Sequence, residues 1–366
     1  MKNWKNWIDA LPEPTALVRL LHRPDISTPH VLTGLLSRVE IILQYDPARA
    51  CEIAEIAVDL SGRIPRFWHA RTRSLVRSRA LSVCGTCHRA LYGLRRAEAA
   101  FVVAYRHIRP FRHELPVEFV DLHAHLALLK RDQRKLEEAM RIAKSGLKLA
   151  RVTGSAAAAK HLVVLGTIIH LIDVQDAPDC FQEARELIGG SRERELGDGG
   201  ETEFYGETVE LYFSATMGLA TSLSAVGESD PRAIEGLIDE LFSLCPDSSC
   251  RRFTSAMWAQ GLFRIKAGDF HGATESLAVA AKRMAEMGRV AVATLVYLDL
   301  AFAYLARGNH SEPIEIAAKI AGFLGSANLT NEFCRAASIF VEAAQRAELE
   351  PASVRDLKRH LERLGH

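Results

Sequence analysis

Aromatic residues are scarce in this chain of 366 residues, at 7% of the total. Runs that alternate apolar and polar residues, the mark of a half-buried strand, are almost absent. With a large stock of Ala, Leu and Arg, this composition excludes a sheet-based domain and favours helix. No stretch of about 18 uninterrupted apolar residues occurs, so no membrane-spanning helix is expected. The nearest approach, "VAVATLVYLDLAFAYLA" at 290–306, carries Asp299 and reads as a buried helix. Enzyme signatures are missing as well: there is no phosphate-cradling Gly-rich loop ending in Lys and Ser/Thr, no His-Glu-x-x-His and no Gly-x-Ser-x-Gly. No catalytic role and no cofactor is expected. Seven cysteines, an odd number without regular spacing, exclude a disulfide framework and fit reduced thiols in a cytoplasmic protein. The start, "MKNWKNWIDALPEP", lacks the apolar stretch of a signal peptide. Its Trp4, Trp7, Ile8 and Leu11 instead space out a short amphipathic helix ended by Pro12 and Pro14.

What the chain does contain is helix after helix, in pairs of similar size. Taking Gly261 as origin, Met257 lies four residues before, Gly268 seven after, and Ala273, Leu277 and Ala280 follow. Taking Gly85, the same offsets give Leu81, Ala97, Phe101 and Ala104. From Ala301 they give Tyr297, Gly308, Pro313, Ala317 and Ile320. Such a register is an internal repeat. A further copy starts at Asp46, a helix cap, with Pro47 at the first helical position and Ala50, Ala54 and Ala57 as its small-residue stripe. Others lie near Ala127 to Ala143, Gly166 to Ala184 and Met217 to Leu237.

This pattern resembles the tetratricopeptide repeat, in which a small residue midway along the first helix lets the second approach closely. The resemblance covers about residues 31–325. It implies an all-α fold: a right-handed superhelical solenoid of antiparallel helix pairs with terminal capping helices. The organisation expected is an N-terminal helical extension at 1–30, basic helical repeats at 31–188, an exposed acidic Gly-rich loop or hinge at 189–207, further repeats at 208–345 and a capping helix at 346–366. It also implies a non-enzymatic scaffold that binds a protein or peptide on its concave face. The alternative within the same class is a regulator whose array responds to a peptide or ligand, with the 189–207 stretch as its moving part.

Charge is polarised along a chain of net charge +1. Twelve arginines and a single acid, Glu98, fall between Arg63 and Arg112, while 181–210 holds nine acids and three arginines. The first helices of the resembled family line its concave face. Counting along them places Arg79, Ser82, Thr86 and Arg89 there, with Arg131, Lys160, Thr167 and His170 in later copies. Arginines so placed suit an acidic peptide or a free C-terminal carboxylate. A nucleic-acid partner is disfavoured, because the basic residues occupy only one part of the chain.

One motif points elsewhere. Cys84-Gly-Thr-Cys87-His88 has the spacing of c-type haem attachment. On a helix the three side chains share a face, so haem, or zinc completed by Cys51, is an alternative reading. Leu81, Cys84, Gly85 and His88 also sit where the repeat register places its packing stripe, and cysteine is commonly a small buried hydrophobe. Packing is therefore expected, with no metal. His123 and His125, two apart, point to different helix faces, and Cys245 and Cys250 around "CPDSSC" lack a second pair.

Overall fold

The structure, a computed structural model, describes residues 28–43, 46–91, 93–195, 203–226, 230–245, 247–248, 250–324, 331–346 and 348–364. The amphipathic segment expected at 4–11 lies outside the described residues. Within them the chain is all-α, with sixteen α-helices and no strand. In chain order these are α1 (Pro29–Ile42), α2 (Pro47–Gly62), α3 (Ala70–Ala90), α4 (Leu94–Ile108), α5 (Pro116–Asp132), α6 (Leu136–Thr153), α7 (Ser155–Ile172) and α8 (Ala177–Glu195). There follow α9 (Glu203–Val226), α10 (Pro231–Ser243), α11 (Arg251–Ala267), α12 (Phe270–Glu286), α13 (Val290–Ala306), α14 (Glu312–Phe323), α15 (Asn331–Gln345) and α16 (Pro351–Leu364).

The helix starts follow from local chemistry. Asp46 accepts a hydrogen bond from the Arg49 amide at the head of α2, with Pro47 at the first helical position, as the sequence indicates. Asp230 and Asp269 cap α10 and α12 in the same way. Gly268 closes α11 at φ 80°, a left-handed backbone that a side chain would strain.

The repeat register has a direct structural counterpart. A Cβ placed on Gly85 in α3 would lie 2.7 Å from the Phe101 ring of α4, and one on Gly261 in α11 would lie 2.5 Å from Leu277 of α12. Gly166 of α7 stands in the same relation to Phe181 of α8, at 2.8 Å. In each case a missing side chain lets one helix press its backbone onto a large side chain of the next. Phe101, Phe181 and Leu277 are fully enclosed as a result.

Contact-wise the chain divides into two compact units, Met1–Leu129 and Lys130–His366. In the first, α2 packs on α1 and α3, α1 on α3, and α3 on α4. In the second, each helix from α6 to α15 packs on its successor, and α7, α9, α11 and α13 form a row in which each touches the next. Of the acidic 189–207 stretch expected as a loop or hinge, residues 196–202 lie outside the described residues. Helix α8 runs on to Glu195, α9 begins at Glu203, and the two pack together. Arg185 of α8 and Tyr212 of α9 both bond to Glu240 of α10, at 2.6 and 2.7 Å, which ties the helices on either side.

Helix α13 is buried along nearly its whole length, Asp299 included, as its apolar sequence suggested. Among the described residues one helix, α7, is long and apolar enough to cross a membrane. It packs against α6, α8 and α9 and encloses His161.

Candidate functional site

The eight residues singled out by sequence lie in both units and are treated by unit. Arg79, Ser82, Thr86 and Arg89 share one half-buried face of α3. Arg79 reaches back to α1, its Nη2 3.5 Å from both Ser37 Oγ and Glu40 Oε2. The Thr86 hydroxyl donates to the Ser82 carbonyl at 2.9 Å, a bond internal to the helix. In the second unit Arg131 is gripped by its neighbour Asp132 through two bonds of 2.8 and 2.6 Å. Thr167 donates to the Val164 carbonyl at 2.7 Å, and Lys160 is half-buried on the same helix. His170 also joins two helices, with Nδ1 2.9 Å from the Ser222 hydroxyl of α9.

His170 also leads to a feature that sequence reasoning missed. Burial holds its imidazole below the ordinary histidine range, while Glu362 draws it up and Lys358 pushes it down. Both charges belong to α16, the last helix. This helix packs on α13 as well as on α15.

The seat of α16 combines apolar and ionic contacts. Val354 and Leu361, seven residues apart and so on one face, are completely buried. Between them Lys358 reaches Asp299 of α13 at 2.7 Å and Glu362 at 3.2 Å. The other oxygen of Asp299 accepts from the Trp258 indole of α11 at 3.0 Å. The Arg355 guanidinium lies 4.5 Å from the centre of the Phe302 ring. A cavity of about 190 Å³ remains beside these contacts, lined by Leu262 and Ile265 of α11, Leu298 of α13 and the α16 side chains. Burial alone would pull the Lys358 ammonium down, but Asp299 and Glu362 outweigh it and hold Lys358 above its ordinary value.

One signal for this seat is present in the sequence. An acid in the middle of an otherwise apolar helix cannot stay charged without a partner. Asp299 argues against a membrane helix on sequence alone, but its partner stands 59 positions further on, in a segment that reads as a polar cap.

In the first unit, Cys84, Cys87 and His88 are buried as the packing reading expects. Cys84 and Cys87 join Leu32, Leu36, Cys51 and Ala54 in the core between α1, α2 and α3. Burial pushes the Cys51 thiol up to about 11 and the Cys84 thiol up to about 12. His88 is not only packed: its Nδ1 lies 3.3 Å from Cys51 Sγ and its Nε2 3.3 Å from Glu55 Oε1. Elsewhere, His125 stacks on Phe101 and His123 bonds to the Phe119 carbonyl at 2.8 Å. Cys250 caps α11 through its sulfur, which accepts from the Phe253 amide. No protein-family model matches the chain, and no curated protein does.

Proposed function

We propose that the protein is a non-enzymatic, helical-repeat binding module resembling tetratricopeptide arrays, and that the row α7, α9, α11 and α13 is the face on which a partner protein or peptide docks. The observation that carries this reading is the α16 seat. An amphipathic helix already lies across α13 with two buried apolar anchors and a lysine set against a buried carboxylate. That is the chemistry of helix-in-groove recognition. A surface that accommodates one such helix is suited to another with two apolar anchors about two turns apart and a cation between them.

The seat also favours the regulated form of this function. With α16 in place, Asp299 is buried against Lys358, so a partner would have to displace α16 before reaching it. The arginine face of α3 is a separate candidate surface, suited to an acidic segment or a C-terminal carboxylate.

A direct test uses the chain's own helix as probe. A labelled synthetic peptide of residues 350–364 is titrated into a chain truncated after Leu349, followed by fluorescence anisotropy. Saturable one-to-one binding that weakens when peptide Leu361 becomes Asp is expected. No binding, by a truncated chain whose circular dichroism keeps its helical content, would overturn the reading.

A further inference from the structure

The connection between α2 and α3 holds an aromatic ring out in water. Ile64 is buried, and the Trp68 side chain packs against the core of α1, α2 and α3. Between these two anchors the Trp68 amide donates to the Pro65 carbonyl at 3.2 Å, closing a turn with Arg66 and Phe67 at its corners. The Phe67 ring is 81% exposed, its centre 5.9 Å from that of Trp68. No other aromatic side chain among the described residues is exposed. A single exposed apolar residue means little by itself. This one stands at an end of the first unit that is rich in arginine.

Helices α3 and α4 run antiparallel. Ser78 of α3 donates to the Ala104 carbonyl of α4 at 3.1 Å, and Arg71, in the first turn of α3, donates to the Glu114 carbonyl beyond α4 at 3.2 Å. The 63–69 and 109–115 connections therefore share one end. Exposed there are Arg63, Arg66, Arg71, Arg106, Arg109 and Arg112. The acids nearby in sequence are Asp59, Glu114 and the half-buried Glu118, and Glu114 is taken by Arg71 at 3.8 Å. Arg66, Arg106, Arg109 and Arg112 have no carboxylate partner among the described residues. Val117, in the first turn of α5, adds a second apolar group, 49% exposed. The negative end of the α4 dipole accounts for Arg106 and Arg109. It does not account for Arg66, Arg112 or the bare ring.

We propose that this end docks on an anionic phospholipid bilayer, with Phe67 entering the interfacial layer and the arginines pairing with lipid phosphates. A guanidinium meets a phosphate through two parallel hydrogen bonds. Each arginine brought to an anionic bilayer surface strengthens binding about fivefold. A bilayer asks only for a protruding apolar group flanked by cations, which a turn between two helices supplies. A single strand of nucleic acid asks for more, because successive bases stack on successive rings, and here one ring is exposed. The anchors on either side, Ile64 and Trp68, hold the turn in place before contact, so little ordering is left to oppose binding. Attachment of this kind is peripheral and reversible, needs no spanning helix, and is independent of the α16 face.

The test is co-sedimentation of the full-length chain with vesicles of phosphatidylcholine alone and of phosphatidylcholine mixed with phosphatidylglycerol. Binding to the mixed vesicles alone, weakening as salt is raised, is expected. Arg66→Glu combined with Arg112→Glu should lower the partition coefficient roughly 25-fold or more. Phe67→Ala should lower it about tenfold, and Phe67→Trp should keep it. Arg95→Glu, at the opposite end of α4, should leave it unchanged. All of these side chains are exposed, and circular dichroism checks that each variant keeps its helical content. Equal binding to both kinds of vesicle, or binding to neither, would overturn the proposal. So would full binding by the Arg66→Glu, Arg112→Glu variant, or a single-stranded oligonucleotide that stays bound through Phe67 at a salt concentration that releases the vesicles.

Discussion

Replacing Lys358 by Met leaves Asp299 with a buried carboxylate whose remaining partner in the seat is the Trp258 indole. Breaking a buried ion pair from one side costs about 3 to 5 kcal/mol, because the surviving charge stays desolvated. Lys358 keeps 16% of its side chain exposed and Asp299 keeps 8%, so the lower end applies, about 3 kcal/mol. That energy falls on the equilibrium between seated and released α16, raising the released fraction roughly 100-fold. Asp299→Asn should cost less, about 2 kcal/mol, because the ammonium keeps Glu362 as a partner 3.2 Å away. With both changes neither charge is buried, and the double variant should be less perturbed than the sum of the singles by about 2 kcal/mol. Hydrogen exchange followed by mass spectrometry on peptides covering 351–364 reads this equilibrium locally. Faster exchange in α16, with α2 and α3 unchanged, is expected in each single variant. Exchange in α16 that stays within about threefold of wild type, or single effects that simply add, would refute the reasoning.

Three further outcomes follow from other parts of the chain. Gly85→Ala gains up to about 1 kcal/mol of helix propensity, but its methyl meets the Phe101 ring at 2.7 Å. A net loss of about 1 to 2 kcal/mol is expected in urea unfolding, whereas Gly236→Ala, with nothing within 4 Å, should be neutral or stabilising. Burial holds the folded His170 below its ordinary value of about 6.5, so its contribution is present in full above that pH and is lost as the pH falls through the folded value. Stability measured from pH 7 down to pH 5, an interval of about two units, should therefore decline, and His170→Gln should flatten that decline. Arg79→Glu sets two carboxylates side by side at Glu40, yet both side chains are well exposed. The loss in unfolding free energy should stay below about 1 kcal/mol, and a larger one would mark Arg79 as a clamp between α3 and α1 rather than a group open to a partner.

The helical class and the internal register were readable because they rest on short-range patterns. Asp46 beside Pro47 announces a helix start within four residues, and Gly85 with Phe101 repeats at the offset of Gly261 with Leu277. The structure turns that offset into a physical contact, backbone against ring or isobutyl group. The acidic 189–207 stretch is legible only as composition, and its residues 196–202 lie outside the described residues. Its composition is that of a loop, and it carries no trace of the bond that Arg185 and Glu240 make across it over 55 positions. The same holds at the α16 seat and around His88. Asp299 and Lys358 each look like an ordinary residue in its own helix, and only their pairing makes a seat. Cys84, Cys87 and His88 drew notice through their spacing, while Cys51 and Glu55, which meet His88 in space, have no spacing relation to it.

The most direct measurement compares one probe on two proteins: the labelled 350–364 peptide titrated into the full-length chain and into the chain truncated after Leu349. If α16 and a docking partner share one face, the full-length chain should bind roughly 100-fold more weakly, by the fraction of molecules whose face is free. Lys358→Met in the full-length chain should restore most of the lost affinity. Equal affinity for the two proteins, or binding by neither, would contradict the claim that this face is a binding surface covered by the chain's own last helix.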